Sequence, residues 1–242
     1  MNNKDIILQQ FEQTLSLQEE ALTTLFRSAM ESTKSANSAQ KLATDAKTKA
    51  TDAQEMITGS DPLSDPYPGP PLWDTDWDAP KIMHEWSLRY PRYTPDVERW
   101  IDDAKKWTDD AKKWTNATMV KTHSRGIYGG SLFLVLNNWI QSLGVQLDLD
   151  REDRLSVGEL IGQTQLSRLI WAAANNFRHY AEWENPTTLA QNSITVLQAA
   201  GVTGQMSKNR AADVLHIIGA KDYENLEAKI YAIGQELKKK AP

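Results

Sequence analysis

The chain of 242 residues contains no cysteine, and this absence excludes several kinds of chemistry at once. Disulfide cross-links, thiolate zinc sites and cysteine nucleophiles all require the thiol group. A chain without cysteine is compatible with a reducing compartment, and we expect a cytoplasmic protein. The net charge of −5 argues against a general nucleic-acid coat, because such proteins carry an excess of lysine and arginine.

The sequence also lacks an uninterrupted apolar run long enough to cross a membrane. Its most apolar segment, residues 128–147, contains Asn137, Asn138 and Gln141. Amide side chains are costly inside a bilayer, so this segment is predicted to be a helix buried in a protein core. We therefore expect no membrane contact.

Glycine and proline are both absent from residues 1–58, so neither helix breaker interrupts this segment. Apolar residues recur at alternating steps of three and four, which is the a/d spacing of a coiled coil. Large residues form the first half of this seam, and almost only alanine forms the second. The segment is predicted to be either an arm that binds a protein partner or forms homo-oligomers, or a helix that folds back on the chain. If the helix has a break, residues 32–38 are the expected place, since their helix propensity is weak.

Residues 59–80 hold six of the ten prolines and are predicted to form an extended linker. Within it, Asp74, Asp76 and Asp78 have the spacing of a calcium loop. The glycine and glutamate that complete such a loop are missing. We therefore expect an ordered strap here, and the sequence predicts neither a metal nor a cofactor.

Residues 81–242 show helical periodicity and no convincing alternation of a strand. The predicted class is all-α, with a long coiled-coil-like helix (1–58), a proline-rich linker (59–80) and a C-terminal helical bundle (81–242). Helix starts are predicted at Thr94, near Gly130 and near Ser156, the last continuing to about Glu184. Later helices are predicted at about 187–200, 207–218 and 221–240.

The repeat WIDDAKKWTDDAKKW at residues 100–114 places three tryptophans on one helix face together with two alanines. Aspartates and lysines alternate on the opposite face at the spacing of helical ion pairs. The predicted arrangement has rings facing inward and charges facing outward. This helix is expected to pack against the N-terminal helix or against the helix that starts near Gly130.

The stretch NNFRHYAEW at residues 175–183 carries the side chains best suited to chemistry. On a helix, four of its polar residues lie in one stripe opposite the apolar face. A histidine moves protons near neutral pH, an arginine stabilises phosphate charge, and a carboxylate orients an imidazole. The same spacing also fits an ordinary solvated face with a helical ion pair. The candidate catalytic residues are Arg178, His179 and Glu182, and the candidate substrate-binding residues are Asn175, Asn176 and Arg168.

Arg178 followed by His179 on a late helix resembles the motif of the HEPN (higher eukaryotes and prokaryotes nucleotide-binding) superfamily. The resemblance covers roughly residues 120–240. It implies a helical bundle, often dimeric, of prokaryotic defence or toxin–antitoxin type, which binds or cleaves RNA or a nucleotide without a metal. That motif continues with a second histidine, and this chain has Trp183, Glu184 and Asn185 in its place.

A second hypothesis makes the protein a non-enzymatic helical scaffold. In that case residues 1–58 capture a protein partner or form an oligomer, and the polar stripe is only a solvated surface. Replacing Arg178 and His179 by alanine distinguishes the two hypotheses.

Overall fold

The computed structural model describes residues 3–59 and 94–242. The proline-rich linker and its three aspartates lie outside the described residues, and what was predicted for them stays a prediction. The side chain of Trp100 also lies outside them, although its backbone is part of a helix.

The described residues form eight α-helices and one small hairpin, which confirms the all-α class. β1 (Leu160–Ile161) pairs antiparallel with β2 (Thr164–Gln165), and a 3-10 turn covers Tyr180–Glu182. Within these ranges no helix has the length and apolar character needed to span a bilayer. The helices are α1 (Asn3–Leu17), α2 (Glu19–Gly59), α3 (Thr94–Gln146), α4 (Arg151–Leu155), α5 (Leu166–His179), α6 (Thr188–Ala199), α7 (Ala211–Ile218) and α8 (Tyr223–Lys240).

The N-terminal helix breaks at Gln18 and is continuous through residues 32–38, so the expected break site was wrong. The hydroxyl of Thr33 donates to the carbonyl of Ala29 at 2.9 Å, and that of Ser38 donates to Lys34 at 3.0 Å. These bonds satisfy the two hydroxyls within the helix. The segment is helical despite its weak intrinsic propensity.

The helix predicted to start near Ser156 begins only at Leu166. The hairpin intervenes, and its turn uses Gly162 at a φ of +58°. Each strand has two residues, which is too short to produce a period-two signal in the sequence.

Two compact units are formed by the described residues: one within Met1–Thr33 and Thr122–Pro242, the other within Lys34–Lys121. In the larger unit α5 is central, and it packs on α4, α6 and α7. Leu8, Phe11 and Leu15 of α1 are buried there, and α1 packs on α8. The start of the chain thus folds back into the core, as one of the two predictions for residues 1–58 proposed.

Helix α3 runs without interruption through Gly129 and Gly130, where a new helix start had been predicted. A Cβ atom on Gly130 would lie 2.0 Å from the Phe177 ring, and one on Gly129 would lie 3.3 Å from Ala211 and Leu215. These glycines therefore let α5 and α7 approach α3 closely. Their helix-weakening effect of about 1 kcal/mol each is offset by this packing.

The smaller unit contains the alanine half of the predicted seam. Lys49 of α2 lies 4.0 Å from the centre of the Trp107 ring of α3, so the repeat packs against the N-terminal helix as predicted. Apart from Ile101 of α3, the buried residues of these two helix segments are small: Ala36, Ala39, Ala43, Ala46, Ala50 and Ala53 of α2, and Ala104, Thr108 and Ala111 of α3.

Two of the three tryptophan rings can be compared with the predicted inward position, and neither is fully buried. Trp107 and Trp114 are half-buried. Alanines of both helices occupy buried positions instead. Lys106 and Lys113 lie 5.3 and 5.2 Å from the Trp107 and Trp114 ring centres, and the predicted aspartate–lysine pairs of the repeat are not among the ion pairs of the described residues.

The carboxylates of Glu19, Glu224 and Glu227 lie near one another, where the start of α2 approaches α8. Burial raises the pKa of Glu227 above its ordinary value, and the charges of Glu19 and Glu224 raise it further. Burial also raises the pKa of Tyr223, whose buried hydroxyl has no hydrogen-bond partner within the described residues. This region is therefore destabilised when Glu227 is ionised.

Glu227→Gln is expected to raise the free energy of unfolding at pH 7, by less than about 1 kcal/mol because solvent screens a partly exposed group. The folded pKa lies above the unfolded one, so the folded state holds this proton more tightly. Its stabilising effect is complete below the unfolded pKa and is lost as the pH rises through the folded value. The advantage of the variant should therefore vanish on acidification to about pH 4. Urea unfolding at pH 7 and at about pH 4 measures the difference in stability between the variant and the unsubstituted chain. The control is Glu31→Gln, at an exposed position. A stability gain that is equal at the two pH values contradicts the raised pKa of Glu227.

Candidate functional site

The predicted stripe lies at the end of α5 and in the turn that follows. The inner face of α5 is completely buried at Leu166, Leu169 and Ile170, and this fixes the direction in which its polar face points. The helix ends at His179, and the chain continues in the 3-10 turn that carries Glu182. The stripe is thus formed by a helix end and a turn rather than by one continuous helix.

His179 and Glu182 form a pair at the mouth of a small cleft. The imidazole Nδ1 lies 3.2 Å from the Oε1 of Glu182, and both side chains are largely exposed. The cleft has a volume of about 120 Å³. Its described lining consists of Asn175, His179, Glu182, Trp183, Thr187, Ala190 and Ser193.

Residues of α5 and α6 meet inside this cleft. The amide Nδ2 of Asn175 donates to the hydroxyl of Ser193 at 3.3 Å, and Ser193 is completely buried. Trp183 is 5% exposed and closes the apolar side of the cleft. The hydroxyl of Thr187 accepts from the backbone N–H of Ala190 at 3.4 Å and caps α6.

Arg178 lies outside the described lining of the cleft and contacts a different helix. Its guanidinium donates to the Oδ1 of Asn138 on α3 at 3.2 Å and remains exposed. Successive helical residues are about 100° apart around the axis, so adjacent positions face different neighbours. Arg178 and His179 therefore flank the same helix end without sharing a hydrogen-bond partner among the described residues.

Asn176 is fully buried and braces a loop. Its Nδ2 donates to the carbonyls of Met206 at 3.0 Å and Lys208 at 3.2 Å, and its Oδ1 accepts from the backbone N–H of Arg210 at 2.7 Å. The side-chain amide of Asn176 is thus bonded to the protein's own backbone through both its nitrogen and its oxygen. The position is hence a structural one, on the inner side of α5.

Arg168 lies at the other end of α5. Its guanidinium pairs with Glu152 at 2.5 Å and donates to the carbonyl of Leu155 at 3.4 Å, which fastens α4 to α5. Of the six predicted site residues, the cleft thus brings together Asn175, His179 and Glu182.

Sequence reasoning missed Asn138, Trp183, Thr187 and Ser193 as neighbours of the site. Asn138 is 40 residues from Arg178, and Ser193 is 18 residues from Asn175. Helical periodicity relates residues within one helix only, so it gives no signal for such pairs. The helix predicted at about 187–200 placed a helix start at Thr187 but did not relate it to residues 175–183.

The chemistry available in the cleft is that of an oriented imidazole. When Nδ1 carries the proton toward Glu182, Nε2 is an acceptor and a candidate base. A carboxylate partner fixes the tautomer and ring orientation in the same way in known catalytic sites. The described residues contain no cluster of three histidine or acidic side chains placed to hold a metal ion.

No protein-family model matches the chain, and neither a curated protein nor a solved structure matches it.

Proposed function

We propose that the protein binds single-stranded RNA at the His179 cleft, in the manner implied by its resemblance to the HEPN superfamily. The observation that carries the proposal is the His179–Glu182 pair, at 3.2 Å in the mouth of a cleft. In this proposal the protein is of prokaryotic defence or toxin–antitoxin type and works in the cytoplasm.

The size of the cleft favours an RNA strand over a free nucleotide. Sites that enclose a drug-sized ligand have volumes of roughly 300–1,000 Å³, and the cleft has about 120 Å³. It accommodates part of one nucleotide, and the rest of the strand then lies across the exposed end of α5. In this proposal Arg178 contacts a phosphate there, which is supported by its exposed guanidinium held by Asn138.

Cleavage, if it accompanies binding, requires a base for the 2′-hydroxyl. His179 Nε2 takes the proton, the 2′-oxygen attacks phosphorus, and Arg178 stabilises the added charge. The 5′-oxygen leaves and takes its proton from water, since the second histidine of the motif is replaced by Trp183, Glu184 or Asn185. A slow, metal-independent ribonuclease is the expected activity.

The double variant R178A/H179A tests the proposal in the full chain. A fluorescent single-stranded RNA is incubated with excess chelator, and binding and cleavage are followed together. The variant should lose cleavage by at least about 100-fold, the usual contribution of a general base. Glu182→Gln should retain binding but change the pH profile of the rate, which a residue with only a structural role would leave unchanged.

The matched control is H216A/K239A, which removes one exposed histidine and one exposed cation from α7 and α8. It should leave both RNA binding and cleavage as in the unsubstituted chain. If R178A/H179A folds and acts on RNA like this control, the stripe is not the RNA site.

The second candidate is the non-enzymatic scaffold, and the buried alanine seam limits how it works. Ala36 to Ala53 are already covered within one chain, so a partner or second copy must bind other faces of residues 1–58. Leu17 and Leu42, exposed by 87% and 42%, are apolar contacts available on α1 and α2. Two results together would support this candidate. The chain shows no affinity for RNA, and its mass in analytical ultracentrifugation rises with protein concentration.

A further inference from the structure

A groove in the smaller unit lies between α2 and α3. Its volume is about 320 Å³, which is within the range of ligand sites. Both helices contribute to it, and its described lining contains no carboxylate. The lining residues are Lys47, Ala50, Thr108, Ala111, Lys112, Thr115 and Asn116.

Lys47 has no acidic residue three or four positions away on its own helix. The positions three and four residues away are alanines or threonines, at 43, 44, 50 and 51. Helical ion pairs form only at those spacings, so α2 cannot neutralise this ammonium group locally. In the part of the chain that the structure describes, Lys47 has no carboxylate within the 4.0 Å of an ion pair.

Lys112 faces the same groove from α3. Asp109 is at ion-pair spacing, yet the two do not approach within 4.0 Å, and no other described carboxylate does. Lys49, Lys106 and Lys113 of the same unit lie over tryptophan rings instead. Lys47 and Lys112 are hence the cations that the fold leaves without such a contact at this groove.

Neutral donors complete the lining. Asn116 and Thr115 carry an amide and a hydroxyl on the α3 side, whereas the hydroxyl of Thr108 is already bonded to the carbonyl of Ala104 at 2.8 Å. Ala50 and Ala111 leave space in the groove because they have only methyl side chains. The groove thus offers two ammonium groups from opposite walls and neutral donors between small apolar residues.

We infer that this groove binds a phosphoryl group, with Lys47 and Lys112 contacting its oxygens from the two helices. A phosphoryl group carries up to two negative charges and several acceptor oxygens, which suits two ammonium groups better than a single carboxylate does. The site is independent of the His179 cleft. The phosphoryl group belongs either to an inorganic polyphosphate-like compound or to the backbone of a nucleic acid.

Calorimetric titration of the full chain with inorganic tripolyphosphate, and separately with a single-stranded oligonucleotide, tests the inference at low salt. K47Q/K112Q should weaken binding by about tenfold or more, since it removes both charge-assisted contacts. The matched control K41Q/K105Q removes two exposed lysines of the same unit outside the groove lining, and should change the affinity less than about twofold. R178A/H179A should bind tripolyphosphate like the unsubstituted chain.

The two titrations distinguish a free phosphate compound from a nucleic-acid backbone. Groove-dependent binding of tripolyphosphate identifies a free phosphate compound, and groove-dependent binding of the oligonucleotide alone identifies a nucleic-acid backbone; each supports the site. An absence of both, or an equal loss in K47Q/K112Q and K41Q/K105Q, overturns it, because binding is then absent or due to diffuse charge.

Discussion

Asn176→Ala is expected to lower the free energy of unfolding by about 3 kcal/mol. The substitution leaves the carbonyls of Met206 and Lys208 and the N–H of Arg210 without their side-chain partner. An unsatisfied buried group costs about 1–3 kcal/mol, and water that enters the loop recovers part of that cost. Urea unfolding measures the loss, which corresponds to a melting temperature lower by roughly 6–12 °C.

The control for Asn176 is Asn192→Ala on α6, where the side chain is exposed. Its effect should stay within about 0.5 kcal/mol, as for most surface substitutions. Asn176→Asp sharpens the comparison, since a carboxylate still accepts from Arg210 but cannot donate to the two carbonyls. If Asn176→Ala unfolds like Asn192→Ala, the amide does not hold the 206–210 loop in solution.

Gly130→Ala is expected to destabilise the larger unit by about 2 kcal/mol net. A Cβ atom there would lie 2.0 Å from the Phe177 ring, so the ring must move. Overpacking costs about 1–3 kcal/mol, sometimes more, and it is opposed by the gain of about 1 kcal/mol from removing a helical glycine. Thermal unfolding should show a melting temperature lower by roughly 4–8 °C.

Gly129→Ala is the neighbouring control, because its Cβ would lie 3.3 Å from Ala211 and Leu215, a much smaller overlap than the one at Gly130. It should be neutral or mildly stabilising. Phe177→Leu in the Gly130→Ala background should recover part of the loss in a double-mutant cycle, since the two changes share one contact. Additive effects of the two substitutions would show that the ring is not what Gly130 accommodates.

Gly130 also connects packing to the candidate site. Phe177 immediately precedes Arg178 and His179, and the close approach of α3 that Gly130 allows also brings Asn138 to Arg178. At the proposed RNA site, a displaced Phe177 ring should therefore weaken binding as well as stability. Gly129→Ala should leave that binding intact.

The sequence predicted much of the helical architecture because the signals are local. The helices expected at about 187–200, 207–218 and 221–240 are found as α6, α7 and α8, and Gly219 ends α7 at a φ of +68°. Most positions of the seam between residues 8 and 53 are buried. A period of three and four residues fixes which side of a helix is apolar before any partner is known.

The tertiary structure alone decided what each apolar or polar face contacts. Alanines of α2 and α3 are buried in the smaller unit, whereas Trp107 and Trp114 of the repeat WIDDAKKWTDDAKKW are only half-buried, although ring and alanine have the same periodicity. Two glycines that resemble a helix start instead lie at close approaches between helices, Gly130 to Phe177 and Gly129 to Ala211 and Leu215.

The polar stripe of α5 shows the same limit. Its periodicity placed Asn175, His179 and Glu182 together, and the structure adds a cleft wall from α6. It also directs Arg178 toward Asn138, 40 residues away, and Asn176 into the core. Spacing along one helix determines which residues share a side, whereas the partner of each side chain depends on contacts between segments distant in sequence, which form only when the chain folds.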